Sequence, residues 1–155
     1  MTTWVIPTQE HLDFIADNMR DSDVKEVWLS VGLTPHDVLR ILMISSDVVV
    51  CALRGDEPIY IMGGKCMSML SHNIGHCWGL ATTYCDSHRI LLAKSSLRGF
   101  EILWDALGVN MLTCSILEDR KDVLKWIKWL GATLSEERTR GVNGGVFIPY
   151  TIRRR

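Results

Sequence analysis

The sequence predicts an α/β (α+β) domain built on one mixed, mostly antiparallel sheet of six or seven strands, with helices on both faces. Two observations carry this. Apolar residues recur at helical spacing through the first third of the chain, change to a β-branched run at Val48-Val49-Val50, and then alternate between extended and helical segments to the end. The 155 residues, 47% hydrophobic and 23% charged, match one domain spanning 1–155 with a real core, and no linker, repeat or low-complexity segment divides them. Helices alternating with a meander require a sheet covered on both sides.

The first strand, Trp4 to Ile6, is closed by Pro7, and Thr8 is placed to cap a helix carrying Leu12, Ile15 and Met19. Asp21 to Asp23 is expected to interrupt it. A second helix carries Val24, Val27, Trp28 and Val31 and ends at Gly32, and a third restarts at Thr34-Pro35 with Val38, Leu39, Leu42 and Met43. Val48 to Leu53 and Ile59 to Met62 flank Arg54-Gly55-Asp56-Glu57 and read as a hairpin. Gly63-Gly64 marks a bulge or bend, Lys65 to Leu70 continues extended, and Ser71-His72-Asn73 is the expected turn into a strand from Ile74 to Tyr84. On that strand Cys77, Gly79, Ala81, Thr83 and Cys85 make one face small, fit for tight packing or a pocket.

The central helix is expected from Ser87 to Leu107, stopped by Gly108, with Asp86 or Ser87 as its N-cap. Met111 to Ile116 is a buried strand, and Val123, Leu124, Ile127 and Leu130 lie on a helix ending at Gly131. Two strands, Thr133 to Arg138 and Val146 to Ile152, flank the turn Arg140 to Gly145.

A net charge of −1 gives no general attraction to nucleic acid or anionic lipid. Arg153-Arg154-Arg155 is the one basic cluster, either a solvated tail or an arm that contacts phosphate or a partner. No apolar run reaches the roughly 18 residues of a membrane span, and Met1 to Gln9 lacks the layout of a signal peptide, so synthesis is expected in the cytosol. The five cysteines are odd in number and read as reduced core residues. A zinc site from His72, His76, Cys77 and Cys85 is not expected. His72 and His76 on one strand stand about 13 Å apart at ~3.3 Å per residue, and no ligand pair has a Cys-x-x-Cys or helical His spacing. Trp126 and Trp129, three apart on the last helix, form either part of its apolar face or a protein interface.

The element order from Trp4 to Ile152 resembles that of the GNAT (acyl-CoA N-acyltransferase-like) superfamily. Its best local match is the helix closing on Trp129-Leu130-Gly131-Ala132 before two strands, with Ala132 where the family commonly has an aromatic residue. The Trp-rich last helix, Gly131-Ala132, Glu136-Glu137-Arg138-Thr139-Arg140 with Gly144 beyond, and the Phe147 to Ile152 end are similar to a GNAT-like internal virion protein branch of short-tailed bacteriophages.

The resemblance implies an acyl-CoA diphosphate held on backbone N–H groups at the start of the central helix, where free donors and the helix dipole favour an anion. The family signature there is Gln or Arg, two residues, Gly, one residue, then Gly or Ala. This chain has Thr82-Thr83-Tyr84-Cys85-Asp86-Ser87-His88-Arg89, with no glycine and a carboxylate at Asp86. The family's general base is a Glu on the preceding strand, and His76 to Tyr84 contains no carboxylate. His76 is the substitute there, or a polar residue at a strand start. The family's general acid is a Tyr four residues before the closing Gly, a count that lands on Ile127. The expectation is therefore a non-catalytic or degenerate GNAT-like protein without cofactor, acting through contacts with other proteins, phage virion components among them, in the host cytoplasm and in the virion. The alternative is an active acetyl-CoA-dependent N-acetyltransferase of a host protein or small amine, with His76 as base and Ser87, His88, Arg89 and Lys94 at the cofactor.

Overall fold

A computed structural model describes residues 2–68 and 71–155. Strand β1 (Thr3–Val5) leads into three helices, α1 (Gln9–Asp17), α2 (Asp21–Val31) and α3 (Pro35–Ser45). Local chemistry sets their ends. The Thr8 hydroxyl accepts the His11 N–H while His11 accepts the Thr8 N–H, closing a capping box. Gly32 ends α2 in the left-handed region at φ 69°, and Thr34 caps α3 ahead of Pro35. The acidic triplet expected to interrupt a helix instead opens α2, where carboxylates favour the N-terminal dipole.

The meander β2 (Val48–Arg54), β3 (Glu57–Ser68) and β4 (Ser71–Ala81) follows, turning first at Gly55-Asp56. The sequence places the second reversal at Ser71-His72-Asn73, whereas β4 already runs from Ser71; residues 69 and 70 lie outside the described residues. Gly63 and Gly64 hold regular register with both neighbours, and the irregularities fall at Ala52/Leu53 and Cys66/Ser68. Close approach accounts for Gly63, since a Cβ there would lie 2.7 Å from Trp78 Cζ2 and 2.8 Å from the Val48 carbonyl.

The extended run does not continue to Tyr84. Thr83–Asp86 forms one 3₁₀ turn, after which α4 (Arg89–Leu107) starts on His88 without a side-chain cap, so neither Asp86 nor Ser87 is the N-cap. Strand β5 (Met111–Leu117), α5 (Lys121–Trp129), β6 (Thr133–Leu134), β7 (Thr139–Gly141) and β8 (Gly144–Arg153) complete the chain. The expected penultimate strand is thus two short ones, β6 and β7, both paired to β8.

Among the described residues there is one eight-stranded sheet in the order β1-β2-β3-β4-β5-β8-β6, with β7 beside β8, antiparallel except for β4 and β5. Helices α1 to α3 cover one face, where Ile15, Met19, Val27 and Leu39 meet Cys51, Ile61 and Leu80. Helix α4 covers the other, with Phe100, Leu103 and Trp104 on Val50, Tyr60, Met62 and Cys77. No single helix among the described residues is long and apolar enough to cross a membrane.

Gly99 lets α4 lie close on the sheet, because a Cβ there would overlap buried Met62 Sδ and sit 2.8 Å from Trp4 Cη2. Gly99→Ala gains about 1 kcal/mol of helix propensity but overpacks the core at a cost of about 1–3 kcal/mol. A net loss of stability is expected, read from the urea midpoint.

Candidate functional site

Strands β4 and β5 pair at only three positions, Ile74↔Met111, Gly75↔Leu112 and His76↔Thr113, yet β4 runs on to Ala81 and β5 to Leu117. Beyond His76 and Thr113 they part like a fork. A cleft of about 600 Å³ passes between them, lined from both faces of the sheet by side chains that include Tyr60, Cys114, Tyr150, Glu26 and Arg89. That volume suits a small ligand.

Strand geometry decides which backbone groups face this cleft. Because N–H and C=O of a strand residue point to the same side and alternate along it, Gly79 and Ala81 both turn away from β3 toward the fork. At Ala81 both groups are taken: its N–H donates to Asp23 Oδ2 at 2.7 Å and its carbonyl accepts the Arg20 N–H at 3.0 Å. At Gly79, which is exposed, they open on the cleft. A Cβ at Gly79 would overlap the Tyr60 hydroxyl, so the small face expected on this strand is packed as well as open.

Helix α2 closes the far end of the fork. Asp23, only 2% exposed, accepts from Arg120 Nη1 at 2.8 Å through Oδ1, and Arg20 Nε lies 2.9 Å from Oδ2. Arg120 also donates to Glu26 Oε2, and Glu26 Oε1 accepts the Leu117 N–H at 3.3 Å. Two carboxylates of α2 therefore cap the ends of β4 and β5 and are bound together by one buried guanidinium. Burial outweighs the Arg120 charge at Glu26 and holds its carboxyl above the ordinary 4.5. A carboxyl with a raised folded-state pKa contributes stability that is present at acid pH and lost as pH rises from 4.5 through the higher folded value. Relative to Glu26→Gln, the unmodified protein is thus expected to lose stability across that window, measured as urea-unfolding free energy against pH.

At the vertex of the fork stand Cys77 and Cys114, the next residues after the last paired positions. The two thiols and the Tyr150 hydroxyl stand close enough to act on one another's ionisation. Cys114 donates its S–H to the Ser115 carbonyl at 3.5 Å. The partnership with Cys114, with burial added, pushes the Cys77 thiol well above its ordinary value. Cys114 is lowered, because the influence of the neighbouring Cys77 thiol and of Tyr150 outweighs its burial. Burial pushes the Tyr150 phenol up.

His76 sits beside this pair, half-buried, with its imidazole lowered by burial and then by the charge of Lys65, and so neutral near pH 7. Of the residues expected at a cofactor, Arg89 reaches the cleft lining together with Asp86. Ser87 is exposed in the turn before α4, and His88 stacks on Tyr84 at 3.9 Å with Nδ1 2.8 Å from the Tyr84 carbonyl oxygen. Lys94 is exposed and is not among the residues that line the cleft. Ile127 is 0% exposed and packs on Ile116 and Ile148, so counting from Gly131 does not find the cleft-facing position. Val123 and Trp126 line the cleft from α5. Trp126 is therefore turned inward against the core, the first of its two expected places, while Trp129 is 65% exposed.

The basic tail is partly docked: Arg153 ends β8, and Arg154 donates its N–H to the Asn110 carbonyl at 2.7 Å and pairs with Asp105. Cys85 is buried against the Ile59 carbonyl at 3.4 Å, and the His72 side chain lies outside the described residues. Among the described residues no three potential metal ligands come together.

Reading along the sequence missed Asp23, Glu26, Arg120 and Tyr150. The available signal was Asp23 and Glu26 three apart on a helix, on one side of it and next to its apolar stripe.

No family model and no curated protein matches the sequence. Solved structures do. The chain is similar to an acetyltransferase of the GNAT family from Streptococcus pneumoniae, at TM-score 0.67 and 11% identity over 100% of both chains. It is similar to a putative acetyltransferase from Salmonella typhimurium solved with its cofactor acetyl-CoA, at TM-score 0.70 and 10% identity over 98% of this chain and 93% of that one. The ribosomal-protein-S18-alanine N-acetyltransferase from Escherichia coli matches at TM-score 0.69 and 12% identity, over 99% of this chain and 94% of the other. With a forked parallel pair at the centre of an otherwise antiparallel sheet and these likenesses over nearly the whole length, the chain has the GNAT acetyltransferase fold.

Proposed function

We propose that this protein uses the GNAT fold without efficient acyl transfer, and acts by binding other proteins in the structure or assembly of a short-tailed phage particle, first in the host cytoplasm and then in the virion. The observation that carries the first part is the fit of the fork to acetyl-CoA. Gly79 offers free backbone groups to an extended arm, but the diphosphate end meets a 3₁₀ turn with a side chain at every position from Thr82 to Arg89 and the Asp86 carboxylate in the lining. Beyond Gly79 the Ala81 amide and carbonyl are already bound to α2. The residues do not fit the cofactor, and no step through it is derived. Exposed Trp129 supports contacts with a protein partner, and the phage setting rests on the likeness of the chain's ending.

A ligand that binds only the folded state at a hundred times its Kd stabilises it by about 2.7 kcal/mol. No thermal shift is expected with millimolar acetyl-CoA, and a clear shift overturns the non-catalytic reading. The partner reading is tested by mass spectrometry of intact phage particles, from which absence of the chain removes the virion role.

A second reading, acetyl-CoA-dependent N-acetylation of a host protein or small amine, is favoured by Glu26, a carboxylate with a raised pKa in the cleft where a general base is useful. Under that reading acetylation is measurable and falls by about 10²- to 10⁴-fold in Glu26→Gln.

A further inference from the structure

Independently of either reading, we propose that Cys77 and Cys114 form a reactive dithiol that low-molecular-weight disulfides oxidise to an intrachain bond across the vertex of the fork. The register places them together. His76 and Thr113 are the last paired residues of β4 and β5, so Cys77 and Cys114 are the next cross-strand neighbours of a parallel pair, with side chains on the same face. One residue before the cysteines the strands are still paired, at about 4.7–4.9 Å, and a disulfide spans a Cα separation of about 4.4–6.8 Å. Both thiols are free, and each acts on the other's ionisation.

Access combined with pairing separates these two from the other cysteines. Both line the cleft, Cys77 buried and Cys114 partly exposed. Cys51 is shut in the core, Cys85 lines the cleft but holds its sulfur on the Ile59 carbonyl and has no cross-strand cysteine, and exposed Cys66 has its sulfur on the Leu107 carbonyl. Cys114, the partly exposed thiol, is the attacking sulfur and buried Cys77 the resolving one, and the lowered pKa of Cys114 agrees with that order.

The exchange balances with a small disulfide such as glutathione disulfide as oxidant. The Cys114 thiolate attacks one sulfur of the small disulfide, forms a mixed disulfide and expels one thiolate. Cys77 then gives up its proton and attacks the Cys114 sulfur, expelling the second thiolate. Two cysteines are oxidised to one disulfide, and one small disulfide is reduced to two thiols. The product ties β4 to β5 one residue beyond their last pairing and narrows the cleft at its vertex.

The test incubates the reduced full-length protein with glutathione disulfide, alkylates the remaining thiols and maps the peptides by mass spectrometry. A Cys77–Cys114 link is expected, reversed by dithiothreitol. Cys77→Ser is expected to stop at one glutathione on Cys114, Cys114→Ser to give no link and no adduct on Cys77, and Cys66→Ser to leave the link unchanged. Cys77→Ala serves as the second variant at the buried position, with circular dichroism confirming its fold. The proposal is overturned if Cys77 and Cys114 both stay alkylatable in the folded protein, if the link forms with Cys66, or if glutathione accumulates on Cys77.

Discussion

Arg120→Met is expected to destabilise the protein by about 3–5 kcal/mol, the cost of leaving a buried ion pair with one partner removed. Arg120 has a side chain 9% exposed and meets Asp23, 3% exposed, and Glu26, 17% exposed. Without the guanidinium, two neighbouring, largely buried carboxylates face each other, and Asp23 keeps only Arg20 and the Ala81 amide. The loss is measured as a lower urea midpoint at unchanged slope, since the surface exposed on unfolding stays the same. Combining Arg120→Met with Asp23→Asn and Glu26→Gln removes the uncompensated charges and is expected to recover most of it. If the single substitution costs under about 1 kcal/mol, the network behaves as a solvent-exposed pair and does not hold the ends of the fork.

That network shows where sequence reading stops. Signals confined to a few residues were legible: the caps at Thr8 and Thr34-Pro35, the left-handed stops at Gly32 and Gly108, and a hairpin turn within Arg54 to Glu57. The sheet with helices on both faces was legible for the same reason, because period-two and helical patterns are local properties of the chain. Elements set by distant partners were not. Gly63 reads as a bend until Trp78 is seen to need its space, and the short strands β6 and β7 exist only as partners of β8. In the candidate site, His76 was found because it lies on the central strand, but Asp23 and Arg120 meet across 97 positions of sequence and Glu26 comes from a helix on the far side of the sheet. A search for a carboxylate confined to β4 has no means of finding one delivered by α2.

Counting from a closing glycine has the same weakness, and Ile127→Tyr exposes it. The substitution supplies a phenol at the position the family count selects, yet Ile127 is 0% exposed between Ile116 and Ile148, on the side of α5 away from the cleft. Overpacking is expected to cost about 1–3 kcal/mol, and a buried hydroxyl without a partner about another 1–3 kcal/mol. Acetyl transfer is not expected to appear, because the α5 residues that line the cleft are Asp122, Val123, Lys125 and Trp126, and Ile127 is not among them. Thermal unfolding and an acetyl-CoA turnover assay on the same preparation separate the outcomes. A stable Ile127→Tyr protein that turns over acetyl-CoA would show that α5 presents a different face to the fork. An unstable and inactive one leaves Tyr60 and Tyr150 as the phenols that line the fork.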